Sequence, residues 1–153
     1  MRKIYALLLL IALFSLLFGW NTVFAADPDF TIPVNQATVD AVTMGIKPGD
    51  VVCLQAGTRT TTLRLLNFKG SASKPIIVKN CGGQVVVDLP PNGDGSLPGT
   101  GIAVSNSSYV RLTGSGDPNH EYGIDVAGAV MGVAVGAMSK HGIEVDHISV
   151  HDV

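Results

Sequence analysis

The sequence predicts an all-β domain made by stacking short strands, a solenoid rather than a globule wound around one centre. A four-residue phrase, Gly then Ile or Val, then any residue, then Val, recurs late in the chain. It stands as Gly101-Ile102-Ala103-Val104, Gly123-Ile124-Asp125-Val126, Gly132-Val133-Ala134-Val135 and Gly142-Ile143-Glu144-Val145. The starts are 22, 9 and 10 residues apart, so two phrases fall in each window of about 20 residues, a period typical of stacked supersecondary units. Strands this short bury little as hairpins. Stacked in register, their Ile and Val fill one continuous interior. Composition agrees. Charged residues are 14% of the chain against about 25% in an average domain, and Gly is abundant where tight corners are needed.

The first 25 residues read as a signal peptide. Arg2 and Lys3 precede an apolar run, and Val23-Phe24-Ala25 supplies small residues at a cleavage position. The run is shorter than the roughly 18–20 apolar residues that span a bilayer, so no stable membrane insertion is expected after cleavage. The expected locations are secreted, periplasmic or cell-surface. Removing Arg2 and Lys3 leaves eight Lys+Arg against twelve Asp+Glu, a net charge near −4. No basic cluster remains, which argues against a nucleic-acid partner. Cys53 and Cys81 both lie in the exported part. They are either a disulfide or two small buried residues, and spacing alone does not decide between these.

Residues 26–49 form a lead-in and a cap. Pro28 and Pro33 keep the start extended, and residues 35–44 predict a short capping helix with Asn35 as N-cap and Gly45 as its stop. Residues 50–153 carry the strands. Asp50-Val51-Val52-Cys53-Leu54-Gln55-Ala56-Gly57 is the first and residues 60–65 the second. Residues 75–81 are the third, with Pro75 tolerated at the start. Gly82-Gly83 reads as a turn before a fourth strand at 84–88. Residues 89–100, with three Pro and three Gly, form a loop. The phrases follow, with Tyr109-Val110-Arg111-Leu112 and His147-Ile148-Ser149-Val150 showing the same alternation. Within each phrase the apolar pair shares one face and x takes the other.

Two stretches carry a family resemblance. Lys47-Pro48-Gly49-Asp50-Val51-Val52-Cys53-Leu54-Gln55-Ala56-Gly57 and Gly70-Ser71-Ala72-Ser73-Lys74-Pro75-Ile76-Ile77-Val78 resemble the N-terminal portion of secreted right-handed parallel β-helix proteins of the pectate-lyase-like superfamily. Within it they are most similar to chondroitinase-B-type and alginate-lyase-type polysaccharide lyases. The resemblance implies a right-handed parallel β-helix and an extracellular polysaccharide as partner, with lyase chemistry on an acidic glycan if the protein is an enzyme. The same fold hosts non-catalytic adhesive solenoids, so the reaction does not follow from it. One departure is Arg59, at a place where the family usually has an aromatic. Val153 ends an apolar alternation with no cap. That predicts an incomplete domain whose catalytic coils lie mostly beyond it.

The candidate site residues follow from the repeat. If the second and fourth phrases stack on successive coils, Asp125 and Glu144 lie about 4.8 Å apart on the outward face. Paired carboxylates favour a cation, and Ca²⁺ takes oxygen ligands. The alternative is two solvated carboxylates. His147 and His151 flank a strand with Asp146 and Asp152 beside them, a pattern that fits acid–base work or metal binding, or turn residues making local bonds. Arg111 faces outward between Val110 and Leu112 and could contact an acidic saccharide. No catalytic residue is assigned.

Overall fold

The computed structural model describes residues 27–136 and 138–153. The signal-peptide expectation for residues 1–25 lies outside them. Among the described residues the protein is mostly β-strand with one short helix, and every pair of these strands is parallel. In chain order the elements are β1 (Phe30–Ile32), β2 (Thr38–Asp40), α1 (Ala41–Met44), β3 (Val51–Arg59), β4 (Leu63–Leu66) and β5 (Ile76–Asp88). They continue with β6 (Thr100–Ser105), β7 (Val110–Thr113), β8 (Ile124–Ala127), β9 (Met131–Val135), β10 (Ile143–Asp146) and β11 (Ile148–Val150).

The pairings resolve into three ladders. The first runs β1-β3-β5-β7-β10, and the second joins the far halves of β3 and β5 to β8 and then β11. The third is a separate four-stranded sheet, β2-β4-β6-β9. The chain visits them repeatedly in the same order, first, second, third. β3 and β5 each serve both the first and second ladders. The predicted turn at Gly82-Gly83 is instead a bend inside the 13-residue β5. Gly82 and Gly83 take φ of 71° and 130°, and the β3–β5 register shifts there, between Gln55 and Gly57. Glycine tolerates these angles at no side-chain cost.

Parallel register turns sequence alternation into columns. On the first ladder Val52, Val78 and Leu112 are stacked and fully buried. On the second, Val85 stacks on Ile124 and Val87 on Val126. On the third, Val39, Leu65 and Val104 are stacked and buried. All belong to one apolar core. The glycine that opens each phrase has a packing reason at two places. A Cβ on Gly101 would strike the Val126 side chain, and one on Gly132 would strike Val150. Gly101 and Gly132 lie side by side in the third ladder, as Val126 and Val150 do in the second. The glycines leave the space the valine column fills.

The predicted helix over 35–44 is corrected. Residues 38–40 are the strand β2, and only Ala41–Met44 is helical. The Asp40 side chain, not Asn35, caps it by accepting from the Val42 N–H at 3.0 Å. Gly45 at φ 75° ends it, as expected. Val39 explains the difference. It is fully buried over Leu65, and in-register burial outweighs the weak helical preference of a short mixed segment.

Arg59 sits at a core position of the second ladder, opposite Val87, and is 3% exposed. Its Nη1 donates to the carbonyls of Pro33, Val34 and Gln36 at 3.0, 2.8 and 3.2 Å, and its Nη2 to that of Ile32 at 3.3 Å. One side chain thus pins the lead-in onto the first turn of the structure. At the corner after the third ladder, Asn67 Nδ2 donates to Asp40 at 3.0 Å and Asn106 Nδ2 to Asn67 at 2.7 Å. Asn67 and Asn106 both have positive φ, which Asn tolerates better than most residues. Asn106 is therefore a turn residue whose amide is already engaged.

Cys53 and Cys81 are bridged, with Cα atoms 5.7 Å apart and a sequence separation of 28. The bridge joins β3 to β5 on the outward face. A loop of that length corresponds to about 3.5 kcal/mol of lost chain entropy in the unfolded state. Reduction, or the pair Cys53→Ser and Cys81→Ser, is expected to lower the unfolding free energy by about 2–4 kcal/mol with the β signal of the native protein retained, as read by urea unfolding followed by circular dichroism. Arg59→Met is expected to cost about 2–4 kcal/mol in the same assay, because four carbonyls lose their donor.

Candidate functional site

Two groups of polar side chains stand on the outward faces near the end of the chain. The first is on β7 and β10. Their register sets Arg111 beside Glu144 and Thr113 beside Asp146. Val110 and Leu112 point into the core, so the pleat sends Arg111 outward as expected. Arg111 Nε reaches Asp146 Oδ2 at 2.7 Å and Glu144 Oε1 at 3.4 Å. The Thr113 hydroxyl donates to Asp146 Oδ1, and His147 Nδ1 lies 2.5 Å from the same oxygen. His147 takes φ 51° at the single residue between β10 and β11.

Asp146 is the hub of this group. The bonded Arg111 guanidinium holds its carboxyl well below the usual carboxylate range. Burial opposes that effect, and the Thr113 and His147 contacts add to it. Asp146 in turn pushes the Arg111 guanidinium up, mainly through their hydrogen bond.

The second group is on β8 and β11. His151 Nδ1 lies 2.9 Å from Asp152 Oδ2, and its Nε2 lies 3.1 Å from Asp125 Oδ2. The ring is held between two carboxylates with half its side-chain surface open to solvent. Asp152, then Asp125, raises its pKa above the ordinary histidine value. An exposed imidazole oriented by a carboxylate is a competent proton donor or acceptor near neutral pH.

The stacking of Asp125 on Glu144 is corrected by the register. Asp125 pairs with Val86 on one side and Ser149 on the other, whereas Glu144 pairs with Arg111. The two carboxylates belong to different ladders. Ala103, at the same place in the first phrase, pairs with Arg64 and Ala134 on the third. This removes the geometric ground for a calcium site between Asp125 and Glu144. Glu144 is partnered by a cation instead. Among the described residues no group of three or more His, Cys, Asp or Glu is placed to hold a metal ion.

Of the predicted site residues, Arg111, Glu144 and His147 are brought together, and Asp125 and His151 form the other group. Sequence reasoning left Asp146, Thr113 and Asp152 as bystanders. Asp146 and Asp152 adjoin histidines, and that was the available signal. Nothing in the sequence marks Thr113. Three surface recesses, two of about 500 Å³ and one of about 330 Å³, are lined by none of these residues. No protein family, curated protein or solved structure matches this chain. No helix among the described residues is long and apolar enough to cross a membrane.

Two titrations follow. A raised His151 pKa contributes stability that is fully present below the ordinary histidine value near 6.5 and is lost as pH rises through the folded value. Asp125→Asn is expected to lower the His151 midpoint measured by proton NMR. The depressed Asp146 works in the other direction. Its contribution is present above the ordinary Asp value near 3.9 and is lost on further acidification. Asp146→Asn is expected to destabilise the protein by about 1 kcal/mol at neutral pH. The loss should shrink on unfolding at low pH.

Proposed function

We propose that the three ladders are the walls of a right-handed parallel β-helix, each round of the chain adding one strand to each wall. In this reading the protein is exported, and the outward row Arg111, Glu144, Asp146 and His147 contacts an extracellular polysaccharide, with the buried Thr113 hydroxyl bonded to Asp146. The observation that carries the reading is the in-register parallel order itself, which sets these side chains in a flat polar row on adjacent strands. The corner ladder of Asp40, Asn67 and Asn106 and the resemblance of residues 47–57 and 70–78 to pectate-lyase-like proteins support it. A sugar chain lying across such a row can exchange hydrogen bonds between its hydroxyls and fixed carboxylate, imidazole and guanidinium groups.

Cleavage is the second reading, favoured by one observation. His151 is exposed and held between Asp125 and Asp152, an arrangement able to move a proton. Binding without cleavage, as in a surface or adhesive solenoid, needs only the polar row.

The test is binding of the purified protein to immobilised pectate, alginate and chondroitin sulfate, alongside an ultraviolet assay for unsaturated uronate products. Retained binding is expected on at least one glycan, with Arg111→Gln weakening it about tenfold. Binding without an absorbance rise leaves the non-catalytic solenoid. A rise abolished by His151→Gln assigns the lyase. Failure to bind any of the three sinks the proposal for those glycans.

A further inference from the structure

The turn from β3 to β4 carries two recesses that share Thr60 and Thr61, and no residue of the histidine groups lines either. One is about 500 Å³ and the other about 330 Å³, within the range of small-molecule clefts. Neither is lined by a carboxylate. Every charged residue lining them is an arginine, in a chain with more acidic than basic residues.

The two arginines differ. Arg59 is in the wall of the larger recess, 97% buried by its 3% exposure, and its Nε has no hydrogen-bond partner. Its other donors meet carbonyls, and among the described residues the cation has no counter-charge within bonding distance. Burial pushes its pKa down, but arginine stays protonated in proteins. Arg64 lines the smaller recess, is exposed on the third ladder, and takes part in no ion pair among the described residues. Between them, Thr60 and Thr61 present exposed hydroxyls, with Asn92 and Pro98 across the smaller recess.

We propose that this corner binds a small hydroxylated oxyanion, a sugar acid or sugar phosphate, between the Thr60–Thr61 hydroxyls and Arg64. The anion takes a bidentate bond from the Arg64 guanidinium and sits in the positive field of buried Arg59. The ligand's hydroxyls bond to the threonines and Asn92, and its carbon face rests on Pro98. The site is independent of the histidine face and of whether that face binds glycan.

The test is a ¹⁵N NMR titration of the purified protein with glucuronate, glucose 6-phosphate and glucose. Saturable shifts centred on Thr60, Thr61 and Arg64 are expected with one or both anions at millimolar concentration. Glucuronate alone binding identifies a sugar acid, and glucose 6-phosphate alone a sugar phosphate. Glucose is expected to bind about tenfold more weakly or not at all. Arg64→Gln, an exposed position that should leave the fold intact, is expected to weaken anion binding about tenfold. Lys140→Gln removes the same charge elsewhere and should leave it unchanged. The proposal is overturned if neither anion gives a saturable shift, if Arg64→Gln binds as the parent does, or if Lys140→Gln weakens binding equally. It is also overturned if the shifts centre on the histidine face.

Discussion

In-register parallel pairing is the constraint on which the rest depends. Each strand lies on the one before it, so a residue's neighbours above and below are set by register and not by distance along the chain. Val52 must suit Val78, and Val78 must suit Leu112. A parallel sheet satisfies backbone groups strand by strand while each apolar side chain enters a column already formed. The first strands have no column beneath them, and Arg59 occupies that exceptional place. It fills a core position and turns its donors onto the lead-in carbonyls of residues 32–36. A charged residue therefore starts a column that Val87 and Val126 continue.

The strands were legible because their alternation is local. The phrases mark β6, β8, β9 and β10 within a residue or two, and the Gly82-Gly83 break was seen, although as a turn. Assignment of strands to ladders was not legible, and the candidate site depended on it. One residue, His147, separates β10 from β11, whereas residues 114–123 separate β7 from β8. A period read along the sequence cannot absorb so unequal a spacing, so Asp125 and Glu144 seemed to share a column they do not share. The misplaced helix has a related cause. Ala37, Val39 and Ala41 suit either period, and the tertiary column containing Val39 and Leu65 decided between them.

The polar outward groups show the same logic in their electrostatics. Arg111 is beside Glu144 because β7 and β10 are in register, and two residues along the same strands Thr113 is beside Asp146. The pleat places both pairs on one face. Asp146 therefore gathers a guanidinium, a hydroxyl and an imidazole with no long-range loop to position them. Such a site is specified by neighbouring strands, and its parts lie about 35 residues apart in sequence.

The bridge between Cys53 and Cys81 has a mechanical meaning. It crosses from one strand to the next, along the direction in which strands are added. Tension pulling the stack apart in that direction would be shared by backbone hydrogen bonds at most steps. Between β3 and β5 it would meet a covalent link. Strands pulled off from the far side would separate as far as that step and stop there, with β3 and β5 still joined.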